Sequence, residues 1–265
     1  MRNMYSVNEF SKISGVEAST LRYWDKIGLF SPVGRDPENN YRYYSLAQLT
    51  TLNFVATMSD LGIPIKTIAE LRKSRNPEKF LRLLEMKDME LDVQLRKLQE
   101  RASIMHTRRE LIRYGMFMEP DKLTVVHREV EWYATLWPRN EYNEGDTFLE
   151  PLTKFINQSE SLRINLGFPI GGRYDDFDSF IESPERPDNF FSIDPTGANV
   201  RRKGDYLVGC TRGYYGELGE LPGKMAQYIA EHGLQPTGHV YLFYPHDEAC
   251  YMEQEQYLGQ VMVPV

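Results

Sequence analysis

The chain has 265 residues, 41% of them hydrophobic and 26% charged, with a formal net charge of -7. That composition fits a globular protein of one large or two ordinary domains, and no apolar run approaches the roughly 18 residues that span a bilayer. The opening MRNMYSVNEF lacks the apolar stretch of a signal peptide, and two cysteines, Cys210 and Cys250, are too few for a disulfide framework, so the cytoplasm is the expected compartment.

Charge is unevenly spread. Residues 1–114 carry 19 Lys and Arg against 14 Asp and Glu, while residues 115–265 carry 12 against 24. A basic front and an acidic back imply different partners for the two parts. The acidic part also holds 22 of the 33 aromatic residues.

In chain order, residues 5–14 read as a short helix. Ser6 and Glu9 form a capping box, Val7, Phe10 and Ile13 share a face, and Gly15 stops the helix. A second helix runs from about Ala18 to Ile27 and ends at Gly28. Two short helices across a tight glycine turn make a helix-turn-helix. Pro32, Gly34, Pro37 and Asn39-Asn40 are turn residues, and Tyr41, Tyr43 and Tyr44 favour strand, which predicts a two-stranded wing with Tyr44 packed inward. Ser45 caps a helix that closes at Gly62, and Pro64 opens another.

From Pro77 to about Tyr114 there is no Gly or Pro, and Leu84, Leu91, Leu98, Met105 and Ile112 recur every seven residues. A sustained heptad with charged flanks predicts a coiled coil with a second copy of the chain; the alternative is an amphipathic helix packed on its own domain. Beyond it, strands are predicted at Thr124–Trp137, Leu162–Phe168, Asp205–Thr211, His239–Tyr244 and Gln256–Val263, and helices at Thr147–Gln158 and Leu218–His232. The expected division is residues 1–75 for the winged domain, 76–114 for the pairing helix, 115–120 for a linker and 121–265 for a second domain.

The run Leu21-Arg-Tyr-Trp-Asp-Lys-Ile-Gly-Leu-Phe followed by Tyr41-Arg-Tyr-Tyr resembles the MerR family of bacterial regulators. Gly204-Asp-Tyr, Gly213-Tyr-Tyr-Gly, Gly238-His-Val-Tyr and the closing Val261-Met-Val-Pro-Val are similar to the effector-binding fold of the GyrI-like group. Together these resemblances imply an α+β multidomain chain: an all-helical winged helix-turn-helix, a long antiparallel coiled-coil helix and an α+β GyrI-like ligand-binding domain. They imply a multidrug-sensing transcription activator, homodimeric, that distorts a long-spacer promoter so that RNA polymerase can engage it, and that controls multidrug efflux.

At the DNA end, a recognition helix needs polar side chains on one face and phosphate clamps at its edges. Ser19, Thr20, Arg22 and Tyr23 supply them; the resemblance gives Arg22 and Tyr23 backbone roles and places Thr20 near base edges. Arg42 and Tyr43 of the wing are expected at flanking phosphates. Lys66 opens the helix after Gly62-Ile-Pro, where free N–H groups suit phosphate.

At the sensing end, metals are set aside. The segment 77–120 has no Cys and one His, and Cys210 and Cys250 stand alone, whereas soft metals need clustered thiolates. No cofactor is expected. An acidic, aromatic-rich domain fits a small lipophilic cationic or aromatic ligand, because ring faces attract cations by about 0.5–2 kcal/mol each. Trp132, Tyr133, Tyr142, Tyr174, Tyr206, Tyr215, Tyr241, Phe243 and Tyr257 are the candidates. Drug-sensing relatives follow the tyrosine of the penultimate strand with a glutamate; here Leu242 follows Tyr241, and the alternatives are that Glu255 substitutes from the neighbouring strand, that ring faces alone hold a cation, or that the pocket accepts neutral aromatics. No nucleophile and base can be paired in the sequence, so an enzyme is not expected. The alternatives are a small-molecule hydrolase using Glu255 and Tyr257, or a protein-interaction module fused to the DNA reader.

Overall fold

A computed structural model describes residues 4–73, 76–135 and 139–265. It divides into two compact units, Met1–Lys97 and Leu98–Val265.

The first unit begins with strand β1 (Met4–Ser6), helix α1 (Val7–Ser14) and helix α2 (Ala18–Lys26). The capping box is present: Glu9 accepts from the Ser6 N–H at 2.8 Å, and the Glu9 N–H donates to Ser6 Oγ at 3.4 Å. Gly15 ends α1 in the left-handed region at φ 74°, which a side chain would resist. The wing consists of β2 (Gly34–Arg35) and β3 (Arg42–Ser45). It is more than the two-stranded hairpin read from sequence. β1 pairs with β3 through Met4–Ser45, Tyr5–Tyr44 and Ser6–Tyr43, giving a three-stranded sheet in the order β1-β3-β2 within an otherwise helical unit. Tyr44 points inward, fully buried and stacked on Phe10 at 4.9 Å and Phe30 at 5.7 Å. Helices α3 (Leu49–Asp60) and α4 (Ile65–Lys73) complete the core with Leu52, Val55, Met58 and Ile68.

Helix α5 (Pro77–Met116) is a single 40-residue run in which the boundary between the units falls. It extends two residues past Tyr114. Gly115 lies inside it, buried, because a Cβ there would stand 2.7 Å from the His246 ring and 2.8 Å from Pro245. The glycine is a close-packing position and not a break.

Among the described residues the second unit is built on eight strands. In chain order these are β4 (Thr124–Arg128), β5 (Glu131–Thr135), β6 (Ile170–Tyr174), β7 (Asn189–Ser192), β8 (Asn199–Arg201), β9 (Gly204–Arg212), β10 (Val240–His246) and β11 (Leu258–Pro264). The sheet order is β4-β9-β11-β10-β6-β7-β5-β8, and each pairing is antiparallel. Helices α6 (Leu149–Ser159), α7 (Phe177–Glu182) and α8 (Leu221–His232) accompany it. Strand β10 is buried along its whole length, and its side chains alternate between two cores. Val240, Leu242 and Tyr244 join Phe155, Phe180, Leu221 and Met225 on the helix-covered face. Tyr241 and Phe243 join Tyr133, Phe191, Tyr206 and Met262 on the other, where Leu111 of α5 packs.

Two strand expectations are corrected. The single strand read across Thr124–Trp137 is two: β4 pairs with β9 at one edge, and β5 pairs with β7 and β8 near the other. Residues 162–168 form no strand. Ile164 closes the end of α6 by donating to Ser159 O at 2.8 Å, and Asn165 Oδ1 accepts from the Gly167 N–H at 2.7 Å, which holds the segment as a turn. The strand lies just beyond, at β6, where Gly171 and Gly172 hide it from propensity. Gly171 yields its space to the Phe191 ring, 2.5 Å from where a Cβ would sit, and Gly172 yields to Pro187 at 2.7 Å.

Candidate DNA-binding face and ligand cavities

Helix α2 buries Leu21 and Trp24 and leaves Ser19, Arg22, Tyr23 and Lys26 exposed, with Thr20 half-buried. Arg22 Nη2 donates to Asn8 Oδ1 of α1 at 3.3 Å, so its guanidinium is held beside the outward face. Tyr43 is half-buried, in register with Ser6 and Gly34. Lys66 is exposed in the first turn of α4.

The wing is tied to α2 through an acid. Asp25 Oδ2 takes Arg35 Nη2 at 2.5 Å and Arg42 Nε at 2.6 Å, while the Asp25 side chain is only 3% exposed. One buried carboxylate thus pairs with two wing arginines, leaving the trio a net +1, and fixes the hairpin against α2. Arg42 is therefore partly committed inside the unit. The sequence signal was an acid on an otherwise basic helix, with two arginines in the hairpin after it.

Strand alternation splits the aromatic residues expected to share a pocket. Tyr133, Tyr206, Tyr241 and Phe243 lie on the face opposite the helices. There Tyr133 and Tyr241 approach with ring centres 5.8 Å and hydroxyls 3.3 Å apart, and burial, then that hydrogen bond, pushes the Tyr241 phenol well up. Tyr174 and Tyr257 are buried on the helix-covered face, with Tyr215 half-buried against it. Tyr174 is a core residue whose hydroxyl donates to Pro184 O. Tyr142 donates to Pro187 O at 2.7 Å and carries the Arg186 guanidinium 5.5 Å from its ring centre. The side chain of Trp132 lies outside the described residues; its backbone pairs with Val200.

The most compact arrangement surrounds Tyr215. Its ring packs 4.7 Å from Tyr244, 5.6 Å from Tyr257, 5.2 Å from Tyr214 and 6.0 Å, stacked, from Phe148. Its hydroxyl donates to the Glu248 carboxylate. Burial, reinforced by that bond, raises the Tyr215 phenol far above its ordinary value, so it stays an O–H donor. The Gly216 N–H donates to Tyr244 Oη at 2.6 Å, and Gly216 (φ 85°) faces Phe148, which a Cβ would meet at 3.1 Å. A cavity of about 160 Å³ opens here, lined by Phe148, Leu152, Tyr215, Tyr244, Asp247 and Glu248, with Arg108 at its edge 3.9 Å from Asp247. A void of roughly that volume holds one aromatic ring. Sequence reading found Tyr215 and Tyr257 but not Phe148, Tyr244 or the two acids. Glu255 is exposed on the turn Gln254–Gln256, and the acids that line the cavity are Asp247 and Glu248.

Cys210 is buried, its thiol pushed up to about 11 by burial and by Asp121, and its Sγ donates to Glu119 O at 3.3 Å. Among the described residues no three His, Cys, Asp or Glu side chains are grouped to hold a metal ion, and no helix is long and apolar enough to cross a membrane.

Residues 5–75 match the family model described as MerR HTH family regulatory protein. Over its full length the chain is 27% identical to the multidrug-efflux transporter 2 regulator of Bacillus subtilis (strain 168), covering 97% of that protein. It is 39% identical over 74 residues to the multidrug-efflux transporter 1 regulator of the same organism, which is 28% of this chain and 26% of that protein. Among solved structures, an EcmrR–DNA complex determined by cryo-EM is 20% identical and covers 98% of each chain, at a TM-score of 0.42.

Proposed function

We propose that this chain, whose residues 5–75 form a MerR helix-turn-helix domain, is a ligand-responsive transcription regulator acting in the cytoplasm. It binds promoter DNA as a homodimer and senses a small lipophilic aromatic cation. The observation that carries the sensing step is the cavity lined by Phe148, Tyr215 and Tyr244 beside Asp247 and Glu248, with Tyr214 and Tyr257 packed on Tyr215 behind it. Ring faces and two carboxylates at one cavity suit a desolvated cation. The similarity to regulators of multidrug-efflux transporters supports efflux as the controlled output.

At the DNA, Ser19, Thr20, Arg22 and Tyr23 meet the groove and its phosphates, while Arg42, Tyr43 and Lys66 clamp the flanks. Pairing uses the heptad stripe of α5, of which Leu91, Leu95, Leu98 and Met105 are 42–72% exposed in the single chain. Exposed leucines at heptad spacing suit a second copy of the same helix. A two-fold dimer calls for a two-fold operator. Ligand binding biases the dimer toward a bent, untwisted promoter that RNA polymerase can use; such distortion costs on the order of 1–6 kcal/mol, within reach of modest coupling.

Titration of the full chain with benzyltrimethylammonium, followed by calorimetry, tests the sensing step. Tyr215→Ala and Glu248→Gln each weaken binding at least ~10-fold, since each loses over about 1.4 kcal/mol of ring or charge contact. Unchanged affinity in both variants contradicts the site. A hydrolase remains the second reading because Tyr215 and Glu248 are a hydrogen-bonded phenol and carboxylate in one cavity. Chromatography of an electrophilic aromatic substrate, with Glu248→Gln as control, separates turnover from binding.

A further inference from the structure

The opposite face of the sheet holds a second, larger cavity of about 600 Å³, and its chemistry is the reverse of the first. Its aromatic wall is Tyr133, Tyr206 and Tyr241. Its charged side chains are Arg173, Arg202 and Lys203 against one carboxylate side chain, Asp205. Asp205 is already engaged: its Oδ1 lies 2.8 Å from His127 Nδ1.

Arg173 is the informative residue. Its side chain is 11% exposed, yet among the described residues no carboxylate lies within hydrogen-bond distance of it. Its Nη2 donates to the neutral amide of Asn189, and the nearest acid, Asp175, stands 3.8 Å away and is shared with Arg139 at 3.3 Å. The Arg173 Nε is buried with no hydrogen-bond partner. A guanidinium taken out of water needs an anion to complete it. Strand register puts Arg173 directly opposite Tyr241, so this loosely paired guanidinium and the ring wall share one face. Arg202 is exposed with no ion-pair partner among the described residues, and Lys203 is joined only to Glu129 in a solvent-exposed pair, which binds weakly and leaves the ammonium available.

We propose that this cavity is a second ligand site, for a planar aromatic carboxylate. Its ring lies against Tyr133, Tyr206 and Tyr241, and its carboxylate bonds Arg173, with Arg202 and Lys203 at the mouth. The fork of a guanidinium matches a carboxylate in geometry and charge, whereas a cation here meets three like charges. The site is independent of the cage around Tyr215, which lies on the other face and selects the opposite charge. Leu111 of α5 packs against the same aromatic cluster, so an occupant here touches the group of side chains on which that helix rests.

Calorimetry on the full chain with two probes of one shape tests the inference: 2-naphthoate and its neutral counterpart 2-naphthamide. 2-Naphthoate binds at least ~10-fold more tightly than 2-naphthamide, and Arg173→Gln removes that preference while Arg173→Lys retains part of it. Should Arg173→Gln fail to fold, the exposed Arg202→Gln decides; it lowers 2-naphthoate affinity by roughly 3-fold and flattens its salt dependence. Glu248→Gln, at the cage, leaves 2-naphthoate binding unchanged. The inference is overturned if 2-naphthamide binds as tightly as 2-naphthoate, if 2-naphthoate does not bind, or if both arginine variants that fold bind it as the unaltered chain does. None of these results bears on benzyltrimethylammonium at the cage.

Discussion

Gln260 Nε2 donates a 2.9 Å hydrogen bond to Tyr114 Oη, joining a strand in the interior of the sheet to the last turn of α5. Gln260 is fully buried, and its Oε1 has no partner. The same Tyr114 hydroxyl accepts from Arg128, whose guanidinium carbon stands 4.6 Å from the ring centre. One phenol therefore accepts from a buried amide and a cation, and with the Gly115 contact on β10 it fixes the end of the long helix to the sheet of the second unit.

Tyr114→Phe removes that oxygen and leaves the Gln260 amide with no acceptor. The expected loss is about 1–3 kcal/mol, the cost of stranding buried donors. Chemical denaturation of the unaltered chain and the variant measures it. A change below about 0.5 kcal/mol, the range of an ordinary surface substitution, contradicts the structural role.

Asp25→Ala leaves Arg35 and Arg42 facing one another without their shared carboxylate. Both arginines are partly exposed, so the stability cost is about 1–3 kcal/mol, below that of a fully buried pair. The wing also loses its anchor to α2, so promoter affinity falls at least ~10-fold in spite of the added positive charge. A gel-shift titration at fixed salt reads the sign. Tighter binding would mean that net charge, and not wing placement, governs contact.

Leu98 and Met105 are 59% and 72% exposed in the single chain. Leu98→Glu with Met105→Glu changes a monomer's stability by roughly 0.5 kcal/mol or less per site, but places like charges in a paired seam. Sedimentation velocity should show a dimer for the unaltered chain and a monomer for the double variant. A monomer in both cases removes the pairing role of α5.

Alkaline pH should weaken the second unit. Cys210 is raised in the folded state to about 11, first by burial and then by Asp121, and burial also raises Tyr174, Tyr241 and Tyr244. The folded chain holds these protons to a higher pH than the unfolded chain does. Stability is thus complete below the unfolded thiol value of about 8.5 and falls as pH climbs toward 11, by on the order of 1–3 kcal/mol. Urea denaturation at pH 8 and pH 10.5 checks the sign; equal midpoints would contradict it.

The front unit was legible because its signals are local. Ser6 with Glu9, Gly15 and the alternation around Tyr44 each act within a few residues. The centre of the rear sheet was legible where a strand is apolar on both faces, as in β10. What failed depended on partners distant in sequence. The residues of β4 and β5 read as one alternating strand, and only their separate pairings with β9 and with β7 and β8 divide them. Strand β6 was hidden because its glycines serve Phe191 and Pro187. The helix α5 was read as apolar on one seam, yet Leu111 and Tyr114 engage their own domain while Leu98 and Met105 stay exposed. The aromatic set is divided in space, since the two-residue period of a strand sends neighbours to opposite faces. Glu248 was missed because it enters through the turn after β10 and meets Tyr215 33 residues away in sequence.

The most direct test of ligand-driven DNA distortion is the linking number of a closed plasmid carrying a promoter isolated by its affinity for the protein. The plasmid is relaxed by topoisomerase with the protein bound, with and without benzyltrimethylammonium. The expected result is a shift of the topoisomer distribution toward untwisting when the cation is present, abolished by Glu248→Gln. An identical distribution in both conditions, with the cation shown by calorimetry to be bound, would contradict the coupling of sensing to DNA shape.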